Sequence, residues 1–321
     1  MCFVFTVMDF FSFVIFPTNI GTNIDAYSLL FFCMHFLQGN ENKVRTMTQE
    51  KKRVIAVSGC KGGVGKTVVA TNLALAMSQL GQRVVLMDGN LDVPGVGFSL
   101  GLNTVGTPQS SQTSSKASFS LPCKGLIDGP GGIRVFTPRP EVWNDRGQTT
   151  QAVALIQGMD DLASGLDTLL VDTAPGLAPH NMMLIQAATD VVVVISQEDV
   201  SVVDAVRQIR LLHQVHHVQQ FHVVVNQVSS KRSGARQFEQ LQQRLKDDKW
   251  IVLSYLGVVP FDKTVSEAAG RQSAAMIIND DCRAARAFHR IGHQLAKIPV
   301  PEPKGRIEFF LPDRIKERIE S

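Results

Sequence analysis

Cysteine pairs are missing from this chain. Its five cysteines, Cys2, Cys33, Cys60, Cys123 and Cys282, are scattered, odd in number, and form no Cys-x-x-Cys motif. That argues against a disulfide framework or a zinc site and suits a reducing cytoplasm. Charge of one sign is scarce too: 32 Lys and Arg against 29 Asp and Glu leave a net +3. So small an excess supplies no broad surface for nucleic acid, and specific nucleic-acid binding is not expected. There is no internal repeat. What remains is ordinary globular material, 44% hydrophobic and 19% charged, enough to bury a sizeable core. The 321 residues allow one large domain or two small ones.

Residues 1–46 differ from the rest. The apolar stretch Phe3–Phe16 is aromatic-rich, and Ser28–Leu37 repeats that character. A signal peptide would want a basic start and a small-residue cleavage site, and neither is clear. A membrane helix would want about 20 apolar residues; Asp9 and Pro17 interrupt this run. Met47, followed by Thr48-Gln49-Glu50-Lys51-Lys52-Arg53, offers an alternative start. Two readings stay open: a start-site artefact, which is favoured, and a membrane-associating segment.

From Lys51 the rhythm is strand, helix, strand. Val54-Ile55-Ala56-Val57 reads as a buried strand. The stretch Gly59-Cys60-Lys61-Gly62-Gly63-Val64-Gly65-Lys66-Thr67 follows it, and then a helix over Thr67–Leu80 with Gly81 as its C-cap. Further buried strands are expected at Arg83–Asp88, Ile133–Phe136, Thr168–Asp172, Asp190–Ile195, His222–Asn226 and Tyr255–Val259. Helices are expected at Gln148–Ser164, Asn181–Ala188, Val202–Val215, Gly234–Asp247 and Cys282–Ala296. Short β-branched runs alternating with amphipathic helices predict an α/β fold: a mostly parallel, doubly wound sheet with helices on both faces. This domain spans 47–300. A polar stretch, 103–121, reads as a mobile loop, and 301–321 as a C-terminal tail.

Strand, glycine loop, Lys-Thr, helix is the layout of a phosphate-binding loop. Glycines let backbone N–H groups turn toward phosphate oxygens, and the helix N-terminus adds partial positive charge. Gly62, Gly63, Val64 and Gly65 would line the phosphates, Lys66 would reach the β- and γ-phosphates, and Thr67 would bind Mg²⁺. The first glycine of the general pattern is here Cys60. In open parallel sheets ligands sit at the carboxyl ends of strands. Asp88 ends one strand. Asp172 ends another, ahead of a Pro-Gly turn, which suits a carboxylate holding Mg²⁺ through water.

Lys61-Gly62-Gly63-Val64-Gly65-Lys66-Thr67 resembles the deviant Walker A motif of the MinD/ParA ATPases, with Lys61 as the signature lysine. The resemblance implies a P-loop NTPase that binds ATP and Mg²⁺ through Thr67, Asp88 and Asp172. It implies an ATP-dependent homodimer in which Lys61 reaches the partner's phosphates. It also implies that Asn226 reads adenine and that Asp262 lies on the nucleotide-side loop. The family pattern Asp-x-Asp-Leu is here Asp88-Gly89-Asn90-Leu91. The second carboxylate orients the attacking water in the family; Asn90 can hydrogen-bond that water but cannot accept its proton. Slow hydrolysis is therefore expected, with Asp92 two residues on as a substitute in principle.

The Val-Gly-Val-x-Pro-x-Asp type segment before Asp262 and the Glu308-Phe309-Phe310 tail look most like the FlhG/FleN branch, the MinD-like regulators of flagellar number. That branch implies flagellar transcriptional regulators and the flagellar SRP-type GTPase as partners. It also implies a cytoplasmic protein attaching reversibly to the inner-membrane surface. The Asp-Gln-rich activating motif of some members is not visible in Met47–Arg53. A division-site or cargo-positioning ATPase, and an ATP-locked module that sequesters a regulator, are the alternatives. Residues 301–321 carry five basic and five acidic groups. Lipid binding there would rest on Phe309, Phe310 and Leu311; docking of these residues on the body is the competing reading. His213, His216 and His217 have helical metal-binding spacing but no completing ligand.

Overall fold

The computed structural model describes residues 51–102, 125–138, 148–303 and 307–310. The expected extension 1–46, the loop 103–121 and the tail beyond Phe310 lie outside the described residues. In chain order the elements are β1 (Arg53–Ser58), α1 (Lys66–Gln79), β2 (Val84–Gly89), α2 (Val96–Ser99), β3 (Leu126–Asp128), β4 (Arg134–Phe136) and α3 (Gln148–Gly158). Then come β5 (Thr168–Thr173), α4 (Pro179–Gln186), β6 (Asp190–Ser196), α5 (Asp199–Gln214), β7 (Gln220–Val228), α6 (Lys231–Leu245), β8 (Val252–Pro260), α7 (Lys263–Gly270), α8 (Ala275–Ile278) and α9 (Arg283–Lys297).

The eight strands form one sheet in the order β3-β4-β2-β5-β1-β6-β7-β8. All described pairs are parallel except β3 with β4. Central strands are apolar on both faces, and alternate residues feed two cores. Val54, Ala56, Leu169 and Val171 join the core beneath α3, α4, α5 and α6. Ile55, Val57, Leu170 and Val192 join the core beneath α1, α7, α8 and α9. Helix α1 is buried from Val69 through Met77 because sheet and α9 flank it. It ends as expected: Gly81 takes φ +84°, its N–H bonds Ser78, and Gln82 N–H bonds Met77.

The crossing of α1 and α9 depends on a missing side chain. A Cβ at Gly292 would lie 3.1 Å from Ala76 Cβ and 3.6 Å from Leu73 Cδ1. Gly292→Leu should therefore lower stability by about 1–3 kcal/mol through overpacking. Urea unfolding should show a lower midpoint at unchanged slope.

Several short elements escaped the sequence reading. β3, α2, α7 and α8 are three, four, eight and four residues long, too brief for a periodic signal. The expected helix over Gln148–Ser164 is α-helical only to Gly158 and tightens into a 3₁₀ segment, Met159–Gly165. Helix α5 stops at Gln214, so His216 and His217 lie beyond it and do not share a helical face with His213. The His213 and His216 rings instead bond Val218 O and Gln186 Oε1. In the tail, Phe309 is buried in the core beneath α4, and its N–H bonds Ala187 O at 3.3 Å. Docking on the body, one of the two readings of the tail, is the observed arrangement for Phe309, whose ring packs in the body's apolar core.

Three neighbouring strands set the site. In the order β2-β5-β1, residue Asp88 pairs in register with Asp172, and Asp172 with Val57. The loops after these strands emerge side by side at the carboxyl edge.

Candidate phosphate-binding site

The loop between β1 and α1 is shaped by what cannot fit there. A Cβ on Gly59 would sit 2.7 Å from the Val194 carbonyl oxygen. Gly65 adopts φ +89°, and a Cβ there would meet Asn226 Nδ2 at 2.3 Å. The loop therefore needs glycine at both points. Its carbonyls are held from outside: Asn226 Nδ2 donates to Val64 O at 2.8 Å, and Gln227 Nε2 to Gly63 O at 3.5 Å. Gly176 N–H, from the loop after β5, donates to Cys60 O at 2.9 Å.

Lys66 opens α1 and is only 7% exposed. Its ammonium donates to Lys61 O at 3.3 Å. Burial pushes its pKa down, with Asp172 opposing the fall. The Thr67 hydroxyl donates to Asp172 Oδ2 at 2.6 Å. Asp172 is 2% exposed, and its Oδ1 has no hydrogen-bond partner among the described residues. Burial pushes this carboxyl up to about 7; the Thr67 hydroxyl opposes the rise and Asp88 adds to it. A buried carboxylate with one free oxygen, a hydroxyl beside it and a second acid nearby fits a divalent cation. Thr67 and Asp172 are the residues that would hold Mg²⁺.

Asp88 has a different set of partners. Its Oδ1 accepts from Asn90 N–H at 3.2 Å, and its Oδ2 from Gly95 and Val96 N–H at 2.7 and 2.8 Å. Burial raises its pKa while these amides resist. Asp88 thus pins the loop that carries Asn90 and Asp92. Asn90 Oδ1 in turn accepts from Val93 N–H at 3.4 Å.

The remaining expected residues fall into two groups. Lys61 lies at the mouth of the loop, and its ammonium is ion-paired with Glu198, the residue preceding α5. Asn226 is against the loop, where one of the N–H donors of its amide goes to Val64 O. Asp262 sits outside this cluster of bonds: it caps α7 through Thr264 N–H and also accepts from Ala284 N–H. Burial would raise its pKa, but these amides bring it down. The sequence reading missed Glu198, Gln227 and the buried His180 on α4. No local motif flags them; their partners lie 137, 164 and 88 positions away.

A Gly-rich loop at the end of β1, Lys66 and Thr67 at a helix N-terminus, and Asp172 on the adjacent strand define a P-loop NTPase. The family model described as "ParA: NUBPL iron-transfer P-loop NTPase" matches residues 50–296, so the chain belongs to the ParA family. It is 34% identical over 264 residues to the antiactivator FleN of Pseudomonas aeruginosa, covering 81% of this chain and 92% of FleN. It is 26% identical over 265 residues to an iron-sulfur cluster carrier protein of Methanocaldococcus jannaschii, covering 79% and 88% of the two chains. Among solved structures, the septum site-determining protein MinD of Pyrococcus horikoshii, complexed with Mg-ADP, superposes with TM-score 0.58 at 19% identity, covering 77% of this chain and 97% of MinD. Among the described residues, no helix is long and apolar enough to cross a membrane.

Proposed function

We propose that this chain is a MinD-like ATPase that forms an ATP-dependent dimer, hydrolyses ATP slowly, and regulates flagellar number or placement. The observation that carries the nucleotide reading is the Thr67–Asp172 pair beneath the loop, with Asp172 Oδ1 left without a partner among the described residues. Lys66 and the loop amides bind the phosphates. Thr67 and Asp172 would hold Mg²⁺, which would supply charge neutralisation to the phosphates. Asn90 orients water without taking its proton, so turnover is slow. The flagellar reading is supported by similarity to FleN along most of its length. An iron–sulfur carrier is a weaker reading, since the sequence holds no Cys-x-x-Cys pair. Inner-membrane attachment loses support from Phe309, which is packed in the body.

Lys61 supplies the test of the dimer. In the single chain it pairs with Glu198; in the dimer it transfers to the partner's phosphates. Size-exclusion chromatography of the full chain should show a dimer with ATP and Mg²⁺ and a monomer with ADP. Lys61→Ala should bind ATP yet stay monomeric. A Lys61→Ala protein that dimerises normally would overturn the cross-dimer role. ATP bound without measurable phosphate release would favour the ATP-locked module instead. Deleting the gene in its own host should change the number of flagella per cell.

A further inference from the structure

Carbonyls along the phosphate loop are held by partners of two kinds. Cys60 O accepts from Gly176 N–H, and Lys61 O from the Lys66 ammonium. Lys66 is the group that reaches phosphate, so its bond is given up when a ligand arrives. Gly63 O and Val64 O accept instead from the side-chain amides of Gln227 and Asn226, at 3.5 and 2.8 Å. These amides come from the end of β7 and carry no charge that phosphate would draw away.

A regular strand could not supply both. Successive side chains of a strand point to opposite faces. Here Gln227 takes φ +58°, in the left-handed region that a residue with a side chain rarely adopts. The β7–β8 ladder shifts register between Val225 and Val228, so the irregularity falls on Asn226 and Gln227. Neighbouring side chains thereby reach the same loop. Gly65 makes room from the other side: a Cβ there would lie 2.3 Å from Asn226 Nδ2 and 3.7 Å from Gln227 Nε2. Strain of this kind costs stability, and it persists here beside the phosphate loop.

We propose that Gln227, with Asn226, is a positioning residue for the phosphates: the pair presets the loop through its carbonyls, whatever base the nucleotide carries. This rests on the ATPase reading above. In a trans peptide the C=O and N–H point opposite ways. Holding Gly63 O and Val64 O toward β7 turns the N–H groups of Val64 and Gly65 away from it, into the loop. Amides fixed in that direction need no reordering when phosphate binds, and such preorganisation is expressed as affinity. The resemblance to the MinD/ParA ATPases gives Asn226 to adenine; the bond to Val64 O gives it, with Gln227, a task toward phosphate.

Inorganic tripolyphosphate, which has no base, separates the two roles. Binding of ATP and of tripolyphosphate to the full chain is measured by calorimetry with Mg²⁺ present, beside urea unfolding without ligand. Gln227→Gly removes the amide and releases the left-handed strain. It should hold or raise the urea midpoint yet weaken ATP and tripolyphosphate alike, about three- to tenfold, the worth of one hydrogen bond. Gln227→Met, which keeps the length and loses the donor, should weaken both ligands to the same degree. Asn226→Ala should cost tripolyphosphate as well as ATP. Losses confined to ATP would mean contact with the base and overturn the proposal. Unchanged affinities in the Gln227 variants would leave that residue a strained part of the strand irregularity and overturn it too. So would a parent chain that binds ATP but not tripolyphosphate, since its loop would then not be set in advance. A parent that binds neither would overturn the ATPase reading, and this inference with it.

Discussion

Replacing Asp172 by asparagine should make the ligand-free protein more stable and the ATPase inert. The carboxyl is pushed up to about 7 from an ordinary 3.8, first by burial. A group raised in the folded state lends its stability fully below its unfolded pKa and loses it as pH rises through the folded one. In the ligand-free chain that loss runs from about pH 4 to pH 7, on the order of 4 kcal/mol for about three units. Asparagine does not ionise, keeps an oxygen for the Thr67 hydroxyl, and turns a donor toward Asp88. Urea unfolding should therefore show a gain of a few kcal/mol at pH 8 that vanishes at pH 4. Turnover with ATP and Mg²⁺ should fall about 10²-fold or more, since a metal ligand worth several kcal/mol of charge stabilisation is gone. A variant less stable than the parent at pH 8 would show that Asp172 is not held against its preference.

The second large effect is expected at the opposite edge of the sheet. Arg53, at the start of β1, is 5% exposed. Its guanidinium donates to Leu295 O at 2.8 Å and to Ile298 O, and it lies 3.5 Å from Asp190 Oδ1. His222 Nε2 is 3.4 Å from the same oxygen, and Thr189 donates to Oδ2 at 2.7 Å. Burial alone would raise the Asp190 pKa; the His222 contact, the Arg53 charge and the Thr189 hydroxyl bring it below the ordinary value. Arg53→Ala strands a buried carboxylate and the last carbonyls of α9, and should cost about 3–5 kcal/mol. Because the Asp190 pKa is depressed, its contribution is present above the ordinary carboxylate range and is lost as pH falls through it. The gap between Arg53→Ala and the parent in urea should narrow in acid. A gap that holds constant from neutral pH to pH 3 would count against the ion pair.

Legibility in the sequence followed how local each cause was. Strands such as Val54–Val57 and Asp190–Ile195 were readable because both faces are apolar, and Gly81 because only a left-handed residue ends α1 so tightly. The P-loop was readable because its residues are contiguous. Asp88 and Asp262 show the opposite. A buried carboxylate that staples a loop and one that caps two helices carry the same letter as one that holds a metal. Only the amides of Asn90, Gly95 and Val96, or of Thr264 and Ala284, tell them apart. Glu198 and His180 were invisible for a related reason: their partners are brought near only by the strand order.

The seat of Phe309 has a mechanical consequence. Its N–H bonds Ala187, the residue just past the end of α4, while the first turn of α4 carries His180. Eight residues at about 1.5 Å each make α4 a stiff rod roughly 12 Å long. A rod that short transmits displacement with little bending. If the loop after β5 draws inward around phosphate, the aromatic plug at the far end must follow or come loose. On that geometry the seat of Phe309 and the turn that carries His180 are the two ends of one short helix.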